Sequence, residues 1–430
     1  MNDDILDFQI NNRTDAIIKV IGVGGGGGNA VNHMFQGGIH DVSFALCNTD
    51  NQALMESLVP VKVQLGENTT GGLGAGNKPE VAENAAEESV DLIEDLLNDG
   101  TKMVFITAGM GGGTGTGAAP VVARIAKNMG VLTVGIVTIP FMFEGPRKIV
   151  QALKGVERIA NNVDALLVIN NERLRDIYSD LTMLNAFARA DDTLATAARS
   201  IAEIITVHGH VNLDFADVET TLKDGGVAIM SSGLGSGDDR INDAIKSALH
   251  SPLLNNNDVF SAKKILINLA FSEENPLMME EMNALHDFMS KFSREIEVIW
   301  GTAVEKTLGE NVKVTLLATG FSITSVPGIQ EQQQEITRAE EIQQQIERDA
   351  KIEQDKKDKE LIEKYYGKTG LKSLTSVNYR LEPFVLTIDE LDDDKVLEAL
   401  EKTPVFNRES DFNPRLFKSD MHQQSTTLFD

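Results

Sequence analysis

Six glycines in seven positions, Gly22 and Gly24–Gly28, close the apolar run AIIKVIGVG and lead through Asn29 into the helical AVNHMF. A glycine turn between strand and helix brings backbone N–H groups close to an anion, and the helix N-terminus adds a positive dipole end. Phosphate is the natural ligand. Gly22-x-Gly24-x-x-Gly27 also fits the dinucleotide fingerprint, with Asp50 as ribose acceptor, but five consecutive glycines satisfy almost any glycine pattern. A second cluster adds weight. The apolar MVFITAG is followed by Met110, then Gly111, Gly112, Gly113, Thr114, Gly115, Thr116 and Gly117, opening the helix AAPVVARIA. Two such loops at the ends of neighbouring parallel strands would enclose a polyphosphate from both sides, the threonines adding hydroxyl donors. Neither loop carries a Walker lysine, and Gly367-Lys368-Thr369 has Ile362 where the first motif glycine belongs. The phosphate charge is therefore left to backbone amides and a bound cation, with Mg²⁺ expected and no protein ligands assigned to it.

Acids and aromatics follow at the ends of later strands. A third glycine stretch, Gly71, Gly72, Gly74 and Gly76, precedes PEVAENAAEESVDLIEDLL and could close over a terminal phosphate or form a surface loop. Glu144 trails LTVGIVTIP and could accept from ribose hydroxyls, while Asn171 ends ALLVIN. Asp191 could accept both N–H groups of a guanine edge, with Phe187 one turn earlier stacking on the base; the plainer reading is a core ring and a solvated charge. Asp214 and Asp217 could polarise an attacking water. Their spacing alone favours an N-cap and first-turn acid on a helix starting at Phe215.

The elements that must hold these residues have two textures. AIIKVIGVG, VSFALCNTD, MVFITAG, LTVGIVTIP and ALLVINN alternate with helical stretches, which predicts a doubly wound parallel α/β sheet over residues 15–182. Residues 183–208 read as one long helix, from the spacing of Leu184, Phe187, Leu194, Ile201, Ile204 and Ile205. A smaller α+β domain over 209–327 is expected from KKILINLAF, REIEVIWGTAV and NVKVTLLATGF. Residues 1–14 read as a flexible extension. The Gln-, Glu- and Lys-rich 328–395 reads as a flexible linker, and 396–430 as a tail with apolar islands that suit a partner.

Composition narrows the class. The 430 residues carry 39 Lys+Arg against 65 Asp+Glu, a net charge of −26 that argues against a nucleic-acid binder. No run approaches the roughly 18 apolar residues of a membrane span, and no signal sequence is visible, so a cytoplasmic protein without membrane insertion is expected. The single Cys47 excludes an intrachain disulfide and a multi-cysteine metal site.

GGGTGTG at 111–117, with GVGGGGGNAV, NTD at 48–50, GLGAG at 72–76, TIPFMFEG at 138–145 and NLDFADV at 212–218, resembles the FtsZ family of bacterial cell-division proteins in the tubulin superfamily. The match runs in order from about Thr14 to Pro327. The resemblance implies a GTPase that assembles head-to-tail into cytoplasmic filaments and forms the division ring at midcell. It implies that Gly25, Gly26, Gly27, Gly28 and Asn29 and residues Gly111–Gly117 hold the phosphates of GTP or GDP. Glu144 would bind ribose, and Asn171, Phe187 and Asp191 the guanine. Asp214 and Asp217 would enter the nucleotide site of the next subunit and align water there. The family's usual basic residue after Glu144, which would contact the nucleotide, falls on Lys148, with Arg147 beside it as the alternative. EKTPVFNRES resembles the family's peptide for membrane adaptors and regulators, with Asn407 where leucine is typical. A dehydrogenase would leave the second loop and the acidic pair without a role, and a non-hydrolysing scaffold would leave that pair structural. An assembling GTPase uses every motif.

Overall fold

Residues 18–23, IKVIGV, are buried along their whole length and alternate between two cores: Val20 points into one and Ile21 into the other. That is the behaviour of a central strand covered on both faces. The computed structural model describes residues 16–39, 41–177, 182–207, 209–250, 259–293 and 295–322, short helical pieces between 348 and 364, and a helix at Asp394–Lys402. The expected extension at 1–14, and nearly all of the expected linker and tail, lie outside these residues.

The chain runs β1 (Ile18–Val23), α1 (Gly24–Gln36), β2 (Val42–Asn48), α2 (Asn51–Glu56), β3 (Val61–Gln64), α3 (Glu67–Thr70), α4 (Pro79–Glu88) and α5 (Val90–Leu97). It continues through β4 (Met103–Gly109), α6 (Gly113–Asn128), β5 (Leu132–Ile139), α7 (Pro146–Ala160), β6 (Ala165–Asn170) and α8 (Asn171–Ile177). Then come α9 (Met183–Thr206), α10 (Phe215–Leu222), β7 (Gly226–Gly235), α11 (Arg240–Leu249), β8 (Lys264–Phe271), α12 (Met282–Met289), β9 (Glu297–Val304) and β10 (Val312–Phe321).

The strands form one sheet in the order β3-β2-β1-β4-β5-β6-β7-β10-β8-β9. All neighbours from β3 to β7 pair parallel, as do β8 and β9; β10 runs antiparallel to both β7 and β8. The fold class is therefore as expected, a doubly wound α/β part, a long helix and an α+β part. Strands β3 and β7 are additions to the elements expected from the sequence. Through β7, joined to β6 over Ala165–Leu167, the two sets of strands become one sheet. Leu194, Ala198 and Ile201 of α9 pack in the core on the α1 face, and α4 to α7 cover the other. Strand order reverses between β1 and β4, so the crevice at their C-terminal ends is where such a sheet takes a ligand.

Candidate functional site

Both glycine clusters stand in that crevice, but as helix starts rather than as loops ahead of helices. Gly24 already belongs to α1, and its φ of +73° turns the chain from strand into helix without the strain a side chain would meet. A Cβ on Gly24 would lie 2.8 Å from the Gly115 nitrogen, so the first turns of α1 and α6 lie side by side. Neither helix has a side-chain cap. Two sets of unpaired N–H groups and two positive dipole ends therefore converge, and together they suit a polyanion better than either alone.

The glycines divide by task. Gly25, Gly28 and Gly112 face open space, with nothing within 4 Å of where a Cβ would stand. Gly25, Gly28 and Asn29 line a cavity of about 40 Å³ with Asn48. Gly26 is exposed, although a Cβ there would lie 3.1 Å from Gly109. By contrast a Cβ on Gly27 would sit 2.2 Å from the Thr107 carbonyl, on Gly115 2.4 Å from that of Gly109, and on Gly117 2.0 Å from that of Pro79. These three let helices approach strands and one another. Gly113 is buried against Ala75 and Asn77, and Gly111 turns at φ +99°.

The threonines divide likewise. Thr114 shares a 2.8 Å hydroxyl bond with Thr49 at the end of β2, on the ligand side. Thr116 is buried and accepts the Gly111 N–H at 2.9 Å, which braces the turn. The third glycine stretch is pinned: Gly74 donates to the Thr49 carbonyl and Asn51 to that of Gly72, both at 3.0 Å. Leu73 there is 89% exposed. Asp50 accepts from Gln52 and Ala53 through one carboxylate oxygen as the N-cap of α2.

Beyond β5, three rings join the ribose and base candidates. Phe141 stacks on Phe143 at 5.2 Å and meets Phe187 of α9 edge-on at 5.3 Å. In the turn Met142–Glu144, Glu144 accepts the Phe141 N–H at 3.0 Å through one oxygen and Lys148 Nζ at 3.2 Å through the other. Lys148 is thus committed to Glu144, whereas Arg147 is exposed with no partner among the described residues. Asn171 is 5% exposed, and its Oδ1 has no hydrogen-bond partner. A buried orphan acceptor of this kind suits a donor brought by a ligand. Asp191 is half-buried and accepts nothing from the described residues; burial pushes its carboxyl up to about 6, against a smaller downward pull from His33.

Asp214 and Asp217 form a reciprocal box at the start of α10. Asp214 Oδ1 accepts the Asp217 N–H and Asp217 Oδ2 the Asp214 N–H, each at 3.0 Å. The capping role expected from the spacing is therefore real, and one oxygen of each carboxylate is left over. Among the described residues no hydrogen bond or ion pair joins this pair to either glycine-rich helix start.

These features define a class. Residues 17–179 match the model of the Tubulin/FtsZ family, GTPase domain, and residues 226–322 that of the FtsZ family, C-terminal domain. The chain is 52% identical to the cell division protein FtsZ of Porphyromonas gingivalis, over 95% of this chain and 89% of that one. It is 47% identical to FtsZ of Aquifex aeolicus, over 71% and 83%. Among solved structures, an empty FtsZ dimer of M. jannaschii superposes with a TM-score of 0.65 at 37% identity, covering 73% of this chain and 95% of that one. CetZ2 from Haloferax volcanii gives the same score at 20% identity, a likeness of fold. The molecule is thus a GTPase of the tubulin kind. Within that class, the chain belongs to the FtsZ family of cell-division proteins. No helix among the described residues is long and apolar enough to cross a membrane.

Proposed function

We propose that the chain binds GTP where α1 and α6 begin and hydrolyses it to GDP and phosphate when a second copy completes the site, so that turnover follows head-to-tail assembly into filaments. One observation carries this reading. Among the described residues no hydrogen bond or ion pair joins the anion-binding half to the carboxylate half, and on this reading a second copy supplies the carboxylates. A solved relative described as a dimer supports self-association.

On this reading residues 15–182 hold the nucleotide, 183–208 connect, and 209–327 bring the carboxylates. The free amides of Gly25 and Gly26, with those of Gly112–Thr114, stabilise charge developing on the phosphoryl oxygens, while Gly28 and Asn29, whose N–H groups lie inside the α1 ladder, give the ligand room and a side-chain donor. Gly27, Gly111, Gly115, Thr116 and Gly117 fix their placing. Glu144 takes ribose, Asn171 and Asp191 take the guanine edge, and Phe187 takes its face. The unpaired Arg147 is the cation nearest in sequence for phosphate, Lys148 being held by Glu144. From the neighbour, the free oxygens of Asp214 and Asp217 orient the attacking water and accept its proton. Among the described residues no three His, Cys, Asp or Glu side chains gather. The neutral Thr49 and Thr114 hydroxyls fit a hard cation such as Mg²⁺ that shares its shell with phosphate oxygens and water. Magnesium would there neutralise phosphate charge.

The relatives' names support a role in cell division; on this reading the filaments form the cytoplasmic division ring at midcell, with residues 328–395 as linker and 396–430 as the segment for adaptors and regulators. The deciding experiment is Asp214→Asn, because asparagine caps a helix as well as aspartate does. GTP binding and fold should persist while turnover falls by about 100-fold. Unchanged turnover would end the trans-catalysis reading.

A further inference from the structure

The adjacent acids Asp191 and Asp192 stand in unlike settings. Asp192 has both oxygens engaged: His33 Nε2 meets Oδ1 at 3.0 Å, and Arg189 Nη1 meets Oδ2 at 3.4 Å. Asp191 is half-buried and unpaired among the described residues. His33 belongs to α1, five residues beyond Gly28, whereas Asp192 belongs to α9, beside the base-reading candidates. The two helices share a core through Val31 and Met34 of α1 with Leu194 and Ala198 of α9, and Arg199 Nη2 donates to the Gly37 carbonyl at 3.3 Å across the same contact. One helix therefore carries phosphate contacts at its start and touches the base-reading helix further along.

We propose that His33 is a positioning residue for guanine recognition. By engaging Asp192 across the contact of α1 with α9, it leaves Asp191 as the carboxylate offered to the base and holds the base-reading turn in register with the phosphate-binding turn. Without it, Asp192 keeps a single partner, and two neighbouring negative charges compete for one guanine edge. Asp191 also loses the downward pull that His33 exerts on it directly, which outweighs the opposing push from Asp192, so it ionises less readily and its acceptor capacity for the base N1–H and 2-amino group falls.

The inference rests on the base-reading role of Asp191 proposed above, and the test separates the two. Binding is measured below the assembly threshold for GTP, for inosine triphosphate, which lacks the 2-amino group, and for inorganic tripolyphosphate. In His33→Ala the preference for GTP over inosine triphosphate should drop about two- to fivefold, the size expected of a half-exposed pair, while tripolyphosphate binding is unchanged. His33→Gln, which can still donate to Asp192, should restore much of the preference. An unchanged preference in His33→Ala, or an equal loss for all three ligands, overturns the proposal. If His33→Ala proves unstable, Asp192→Asn gives the second reading: it removes the competing charge but keeps an acceptor for His33, so the preference should hold. A preference lost in Asp192→Asn also overturns the proposal. Should Asp191→Ala itself keep the full preference, it is the base-reading role that fails. If Asp191→Ala loses it and His33→Ala does not, the role stands and His33 has no part in it.

Discussion

At the residue scale the site is a question of which side chains are already spent. Lys148 is held by Glu144, and Arg147 is not. Arg147→Ala should therefore weaken GTP binding about tenfold, as loss of a charge-assisted contact does, and Lys148→Ala much less. Titration calorimetry on the two variants checks this, and the reverse order would show that Lys148 leaves Glu144 when nucleotide binds. Asp191 gives a pH test. Its carboxyl is raised to about 6 by burial, so the folded chain holds that proton more tightly than the unfolded chain does. Its ionisation consequently counts against the nucleotide-free fold as pH rises from the ordinary aspartate range through about 6. Asp191→Asn should raise the melting temperature of the apo protein at about pH 8 and change it little at about pH 4, in thermal melts.

Elements explain why so many glycines are needed and why they are not equivalent. A methyl on Gly27 would collide with the Thr107 carbonyl of β4, whereas one on Gly28 meets nothing within 4 Å. Gly27→Ala should cost about 1–3 kcal/mol of stability by forcing α1 off the sheet. Gly28→Ala should fold at least as well, since alanine favours a helix, yet lose GTP affinity because the methyl takes the ligand's place. Paired melts and binding curves distinguish the two. The acidic box at the start of α10 follows the same logic, with a cap and a catalytic candidate in one side chain. Asp214→Ala should lose about 1 kcal/mol that Asp214→Asn keeps.

Across the whole molecule the prediction concerns concentration. If half-sites are completed between copies, GTP turnover per chain should be near zero below a threshold and rise steeply above it, in step with light scattering. A rate per chain that is independent of concentration would refute shared sites. The described sheet and its helices fall within a unit ending at Glu341. A chain cut after Glu341 should keep GTP-dependent assembly and lose recruitment of adaptors, measurable by sedimentation with and without a membrane-bound partner.

What the sequence determined by itself was local. Continuous apolar runs marked β1, β2, β4, β5, β6, β8, β9 and β10, because a strand covered on both faces needs no alternation. Glycines after such runs marked the proposed anion site, because no other residue lets amides come so close. The strand β7 escaped because GVAIMSSGLG sheds its apolar character halfway and turns to serine and glycine. Only the tertiary structure decided which candidates had a partner. Thr114 shares its hydroxyl bond with Thr49 across the sheet, and Phe187 of α9 meets Phe141 beyond β5. It also brought His33 to Asp192 across the α1–α9 contact. Such commitments depend on where distant segments are laid against one another, and spacing along a chain carries no record of that.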